Sequence, residues 1–144
     1  YGFKALKHSG DHHAYRHAGN LEAQTEIHSY IYGKVAAIWK KLMEVPEGNG
    51  TVADNTVVLI INDGGGVHHN GWDYMPLIML GSAGGSLKTG FFIEMPAPEA
   101  GYKHWKGTTC TSDVFVAVAN AVGVDTKTFG DPAICHGPLP ELKA

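Results

Sequence analysis

The chain has 144 residues, of which 17% are charged, and its formal net charge is −3. This balance, with no basic stripe, excludes nucleic acid as an expected partner. No apolar run approaches the roughly 20 residues that a membrane-spanning helix needs, so no membrane span is expected. The length suits a single unit, residues 1–144, and a start at Tyr1 rather than Met indicates a processed chain or a portion of a longer protein.

Residues 1–19 are polar and histidine-rich and show no period, which predicts a loop. Asn20 is a suitable N-cap for a helix, and Glu22 follows in the first turn, where the helix dipole favours an acid. Apolar side chains then recur at spacings of three and four residues. This pattern predicts a helix with one apolar face over about 21–44.

The middle of the chain carries the strand patterns. Five consecutive branched apolar residues predict a central strand over 56–61 that is buried on both faces. Two more short strands are predicted over 77–80, directly after Pro76, and over 91–94. Residues 95–110 are predicted to form a long loop.

The last third begins with a second helix, for which Thr111 or Ser112 can serve as the cap and Gly123 as the end. The remainder, 125–144, is rich in glycine and proline and is expected to wrap as a tail. A helix, three strands and a helix with mixed loops indicate an α/β or α+β fold. These elements are few for a self-sufficient domain, so we expect the end of a larger α/β domain.

The end of the central strand is the first candidate site. Asp63 follows the strand, and Gly64-Gly65-Gly66 then allows a tight turn before His68 and His69. In open α/β sheets, ligands bind just outside the carboxyl ends of the strands. We therefore expect Asp63 and the two histidines to lie where such a fold carries its chemistry.

Histidine clustering extends this candidate site. Six of the nine histidines lie in two clusters, each with one aspartate: His8, His12, His13 and His17 with Asp11, and His68 and His69 with Asp63. Imidazole and carboxylate together suit zinc, iron or manganese. The alternative is that the first cluster is an exposed polar loop with scattered histidines.

The two cysteines, Cys110 and Cys135, leave alternatives open. They are predicted either to pair as a disulfide or to be buried as small apolar side chains. Cys135 precedes His136, but the second cysteine of a c-type haem attachment sequence is missing, so haem is not expected.

Several segments carry a family resemblance. Asn62-Asp63, the histidine at 68 or 69, and the proline-led strand 76–81 resemble the C-terminal half of the alkaline phosphatase/sulfatase-like superfamily. More closely, the chain is similar to the end of a secreted family known as domain of unknown function 1552. The similar segments, in chain order, are 47–51, 54–56, His69, 81–90, 123–124 and 129–131.

The resemblance implies the C-terminal portion of an alkaline phosphatase-like three-layer α/β sandwich with few strands and two main helices. It implies a metal-assisted hydrolase site with a divalent ion, namely zinc, calcium or manganese. Asp63 and His69 (or His68) match the strand-end acid and the following histidine. The loop Asp11-His12-His13 matches a segment that supplies another aspartate and histidine ligand.

Two departures from the superfamily pattern bear on catalysis. Gly64 follows Asp63 where many members have a histidine, which removes a ligand and argues against a two-metal site. Nothing in the chain matches the nucleophile or the first metal-binding aspartate of the superfamily.

The leading hypothesis from the sequence is a periplasmic or extracellular metal-binding protein that resembles phosphatase/sulfatase-like hydrolases. Its metal would polarise a phosphoryl or sulfuryl oxygen or activate water. The alternative is a non-catalytic structural or assembly subunit that retains the fold. The expected partner is the missing N-terminal portion or another protein chain, and an oligomer is an open possibility.

Overall fold

The computed structural model describes residues 3–62, 76–95 and 109–144. Within these ranges the chain is a mixed α/β arrangement of three α-helices and two small antiparallel sheets. The elements are α1 (His12–His17), α2 (Leu21–Glu44), β1 (Pro46–Glu47), β2 (Gly50–Thr51), β3 (Val58–Ile61), β4 (Leu77–Leu80), α3 (Thr111–Ala121) and a short 3₁₀ helix (Pro140–Leu142). The mixed α/β class is confirmed, whereas the three-layer sandwich stays a prediction.

Helix α2 has the bounds that the sequence predicts, Leu21–Glu44. It begins there because Oδ1 of Asn20 accepts a hydrogen bond from the N–H of Ala23 at 3.0 Å. Its apolar stripe is covered unevenly, since Ile27 is fully buried while Ile38 is 59% exposed. In the part of the chain that the structure describes, no helix combines the length and apolarity needed to cross a membrane.

Helix α1 lies where the sequence predicts a loop, so that prediction is wrong for His12–His17. The helix forms because the Asp11 carboxylate caps it, accepting a hydrogen bond from the N–H of His13 at 3.2 Å. Six residues are too few to show a helical period in the sequence. Gly19, with φ of +63°, then turns the chain so that α1 packs on α2.

Strands β3 and β4 pair antiparallel, with Val58 opposite Leu80 and Ile61 opposite Leu77. The prediction of a central strand buried on both faces is not met in the described residues, because β3 has one neighbour there and Ile61 is 43% exposed. The strand predicted over 91–94 is wrong, because no described strand pairs with it and the Phe92 side chain is 87% exposed.

The hydrophobic core lies between the turn after β4, helix α3 and the C-terminal segment. Its buried members are Ala83, Leu87, Ala117, Leu139 and Leu142. The predicted wrapping tail therefore ends inside the core. A β-bridge between Leu87 and Lys143 holds it there, supported by a hydrogen bond from Lys88 N to Leu142 O at 2.9 Å.

Gly81 is the point at which helix α2 approaches the β3–β4 pair. Its φ is +86°, and a Cβ built on it would collide with the carbonyl oxygen of Thr56 and lie 2.7 Å from the Trp39 ring. Glycine is therefore required here for two reasons: the positive φ strains any other residue, and there is no room for a Cβ atom.

Candidate metal centres

Three of the six predicted metal ligands follow the predicted central strand in the sequence. Asp63, His68 and His69 lie outside the described residues, so their assignment as ligands stays a prediction. The other predicted ligands, Asp11, His12 and His13, belong to the α1 region and are described.

The side chains of His13 and His17 meet on the exposed face of α1. They are four residues apart and therefore lie on the same side of the helix. Their Nε2 atoms are 2.9 Å apart, which is within hydrogen-bond distance, and their ring centroids are 4.5 Å apart. The structure thus joins His13 to His17, a histidine that the sequence places in the same cluster.

His12 has different neighbours from His13. Its ring lies edge-on to Phe3, with centroids 6.3 Å apart, and to His28 of α2, with centroids 5.6 Å apart. Burial lowers the pKa of His28, and the nearby His12 and Arg16 lower it further. The imidazole of His28 is therefore neutral at pH 7, the form in which histidine binds metals.

The Arg16 guanidinium contacts helix α2. It donates a hydrogen bond to Oε1 of Gln24 on α2 at 3.0 Å, and the Gln24 side chain is buried. This contact holds a fixed positive charge against α2, where it is also one cause of the lowered pKa of His28.

Glu26 fastens the segment before α1 to helix α2. Its carboxylate accepts hydrogen bonds from the N–H groups of Lys7 at 2.9 Å and His8 at 3.0 Å, and it lies 2.7 Å from His8 Nδ1. A surface groove of about 500 Å³ lies beside these contacts. The groove is lined by neither member of the His13–His17 pair.

A second group of ligand types lies at the start of α3. One side-chain ligand atom each from Cys110, Asp113 and His136 lies within 4.8 Å of the other two. Among the described residues, no other group of three or more His, Cys, Asp or Glu side chains has the spacing of a metal site. The cluster could hold a metal ion.

Asp113 is the centre of this cluster, and its side chain is 3% exposed. Its carboxylate accepts hydrogen bonds from His136 N at 2.7 Å and Cys110 N at 3.1 Å, and its Oδ2 lies 3.3 Å from His136 Nδ1. Burial, the largest single influence, disfavours the charged carboxylate, but the hydrogen bonds that it accepts, led by those from the N–H groups of Cys110 and His136, together hold the pKa of Asp113 below its ordinary value.

Both cysteines are free thiols in the structure, so the disulfide predicted between Cys110 and Cys135 is not present. The Cys110 thiol is engaged elsewhere, because its Sγ donates to the carbonyl oxygen of Ile134 at 3.2 Å. The alternative of burial as a small apolar side chain applies to Cys135, which is 8% exposed.

Sequence reasoning missed the cluster at α3. Asp113 is the third residue of the helix and Cys110 is its N-cap, one residue before the predicted cap. This spacing is a local signal, since the carboxylate of the third helical residue can accept from the N-cap N–H. His136 is far along the chain, and only the packing of the C-terminal segment brings it to the same place.

Comparison of the chain with protein-family models, curated proteins and solved structures gives no match. The resemblance to phosphatase/sulfatase-like proteins therefore stays a prediction from sequence motifs. What the His13–His17 pair and the Cys110–Asp113–His136 cluster could bind follows from the chemistry of their own side chains.

Proposed function

We propose that this protein binds a divalent metal and is a phosphatase/sulfatase-like hydrolase, of which this chain is the C-terminal part. The supporting observation is the His13–His17 pair, with its Nε2 atoms 2.9 Å apart. Two nitrogens that each lie about 2.0–2.1 Å from one ion are roughly 2.9 Å apart at a right angle and roughly 3.3–3.4 Å apart at the tetrahedral angle. The pair therefore has the spacing of two ligands to a single ion.

The donor types decide which metal is proposed. Imidazole nitrogen suits zinc and manganese, whereas calcium takes oxygen ligands almost throughout. The Asp11 carboxylate caps the same helix but does not form a group with both histidines within 4.8 Å, so the donor types of the pair alone decide the metal. Zinc or manganese is therefore preferred over calcium, which the family resemblance also allows.

The complete ligand set in this proposal includes Asp63 and His69, or His68, on the strength of the motif resemblance. An ion held there would polarise a phosphoryl or sulfuryl oxygen or activate water. The chain itself would hold the ion through α1, whose cap at Asp11 fixes the backbone of His13.

Metal content tests the binding part of the proposal. Purified protein exchanged into excess Zn²⁺ and then desalted is expected to lose one equivalent of zinc when His13→Gln and His17→Gln are combined. His8→Gln is the matched control, since His8 contacts Glu26 rather than the pair. An unchanged zinc content in the double variant, measured by elemental analysis, would contradict the proposal.

Hydrolysis of chromogenic phosphate and sulfate esters tests the catalytic part. The longer protein is expected to show zinc- or manganese-dependent turnover that the His13/His17 double variant loses. Full metal content with no turnover on either ester class would favour the alternative, a non-catalytic subunit that retains the fold. The glycine after Asp63 and the absence of a matching nucleophile in this sequence favour that alternative.

The proposal also includes a partner, the N-terminal portion of the same domain. Its support is the apolar stripe of α2, where Ile38 is 59% exposed. Apolar side chains in a row on one helix face are typical of a surface that packs against further polypeptide.

A further inference from the structure

We infer that Cys110, Asp113 and His136 form a second metal centre that takes Zn²⁺ and fastens the C-terminal segment to the start of α3. The centre goes beyond the proposed hydrolase site and shares no residue with it. Thiolate, carboxylate and imidazole are the three ligand types that zinc uses in proteins. A thiolate among them selects zinc over calcium or magnesium.

The distances within the cluster fit one ion. Ligand atoms about 2.0–2.1 Å from a tetrahedral zinc ion are roughly 3.3–3.4 Å apart. The Nδ1 atom of His136 lies 3.3 Å from Oδ2 of Asp113, which is this separation. The Sγ atom of Cys110 lies within 4.8 Å of both, so a shift of the thiol by at most about 1 Å brings it to the roughly 3.6 Å that separates a thiolate from the other ligands of a tetrahedral zinc ion.

The surrounding hydrogen bonds already orient the ligands. The N–H groups of His136 and Cys110 each donate to the Asp113 carboxylate and fix its plane. Metal binding would replace two existing contacts, that of His136 Nδ1 with Asp113 and that of Cys110 Sγ with Ile134 O. The backbone donors stay in place as outer-shell partners, which are known to strengthen metal sites.

Charge and access also suit an ion. A thiolate and a carboxylate together balance the two positive charges of zinc, and the N-terminal end of a helix favours both anions. The cluster faces an open cavity of about 260 Å³ that Asp113, His136 and residues 137–140 line. The His136 side chain is 42% exposed, so an ion can enter and a water molecule can take the fourth position.

The consequence of an ion at this place is structural. Cys110 and Asp113 belong to the start of α3, whereas His136 belongs to the segment that carries Leu139 and Leu142 into the core. An ion shared between them would hold the tail on the helix. Its binding free energy would then add to the stability of the folded state.

Cobalt substitution gives a direct test, because Co²⁺ bound to a thiolate has a charge-transfer absorption band. The sequence has two cysteines, so the band must come from Cys110 or Cys135. The wild-type protein is expected to show the band on titration with Co²⁺ and to lose it when Zn²⁺ is added. Cys110→Ser is expected to abolish it, while Cys135→Ser, the matched control, retains it.

Zinc affinity and thermal stability complete the test. His136→Gln is expected to weaken Zn²⁺ binding at this centre by at least about 100-fold, since changes in outer-shell partners alone cost 10–100-fold. Excess Zn²⁺ is expected to raise the Tm of the His13/His17 double variant, in which this centre is intact, and to leave the Tm unchanged when Cys110→Ser is added to that double variant.

Three results would overturn the inference. They are the absence of a thiolate band in the wild type, a band that depends on Cys135 instead of Cys110, and a zinc-induced rise in Tm that persists when Cys110→Ser is added to the His13/His17 double variant. The first of these would identify the cluster as a set of hydrogen bonds at a helix start. None of them bears on the His13–His17 proposal, whose test uses other residues.

Discussion

Gly81 and Gly85 lie in the same turn after β4 and have nearly the same positive φ, +86° and +84°. They differ in the space around them. A Cβ on Gly81 would collide with the backbone of Thr56, whereas nothing lies within 4 Å of a Cβ on Gly85. The two positions therefore separate the cost of backbone conformation from the cost of a steric clash.

Gly85→Ala is expected to lower the free energy of unfolding by about 1–2 kcal/mol, the cost of a left-handed conformation for alanine. Gly81→Ala is expected to lower it by about 3 kcal/mol or more, because the carbonyl of Thr56 is backbone and cannot rotate away. Urea denaturation of the two variants measures the difference. Equal losses would show that the close approach of Gly81 to Thr56 is absent in solution.

At the scale of elements, Glu26 makes most of the hydrogen bonds between the segment before α1 and helix α2. The N–H and the side chain of His8 lower the pKa of Glu26, with a smaller contribution from Lys7. Glu22 also faces this region and is paired with the Lys7 ammonium at 2.7 Å. The charges around Glu26 thus include one more acid and two basic side chains.

Because the pKa of Glu26 is lowered by folding, its contribution to stability is complete above the ordinary glutamate pKa. The contribution is lost as the pH falls through the lower folded-state value. Hydrogen exchange at the N–H groups of Lys7 and His8 is therefore expected to lose protection in acid before the amides of α2 do. Glu26→Gln should show weak protection at neutral pH and no such acid transition; strong protection there would refute the role of the carboxylate.

Sequence patterns were sufficient for α2 because its cap, its length and its apolar period all agree. They were insufficient for α1, which is too short to show a period and depends on the cap at Asp11. For the sites, clustering along the chain pointed to His13 and His17. The α3 cluster could not be predicted, because Cys110 and His136 come together only through packing of the C-terminal segment. No local sequence pattern predicts that this segment is buried.

At the scale of the whole molecule, the described residues pack chiefly in two places, besides the approach of Trp39 on α2 to Gly81. One is the contact of α1 with α2 around Ala23, Gln24 and Ile27, and the other is the core around α3. Between them the apolar stripe of α2 runs from buried Ile27 to exposed Ile38. The same stripe therefore serves a folded contact at Ile27 and leaves Ile38 exposed, while Leu42 beyond it is half-buried.

Truncation at these two isoleucines of the stripe is expected to have unequal effects. Ile27→Ala should cost about 2–5 kcal/mol, because Ile27 is fully buried. Ile38→Ala should change the stability of this chain by less than about 0.5 kcal/mol. In a longer protein that includes the proposed N-terminal portion, Ile38→Ala should become clearly destabilising in the same denaturation experiment. An unchanged small effect there would argue against the proposed partner.

The bridge between Leu87 and Lys143 has a consequence for the order of folding. Contacts between α1 and α2 join neighbouring parts of the chain, so little entropy is lost in closing the loop between them. The core instead requires residues 139–142 to meet the turn at 83–87 across the length of α3. Native contacts between distant segments form slowly. In a refolding experiment with pulsed hydrogen exchange, the amides of α2 are therefore expected to gain protection before the amide of Lys88, which donates its hydrogen bond to Leu142 O.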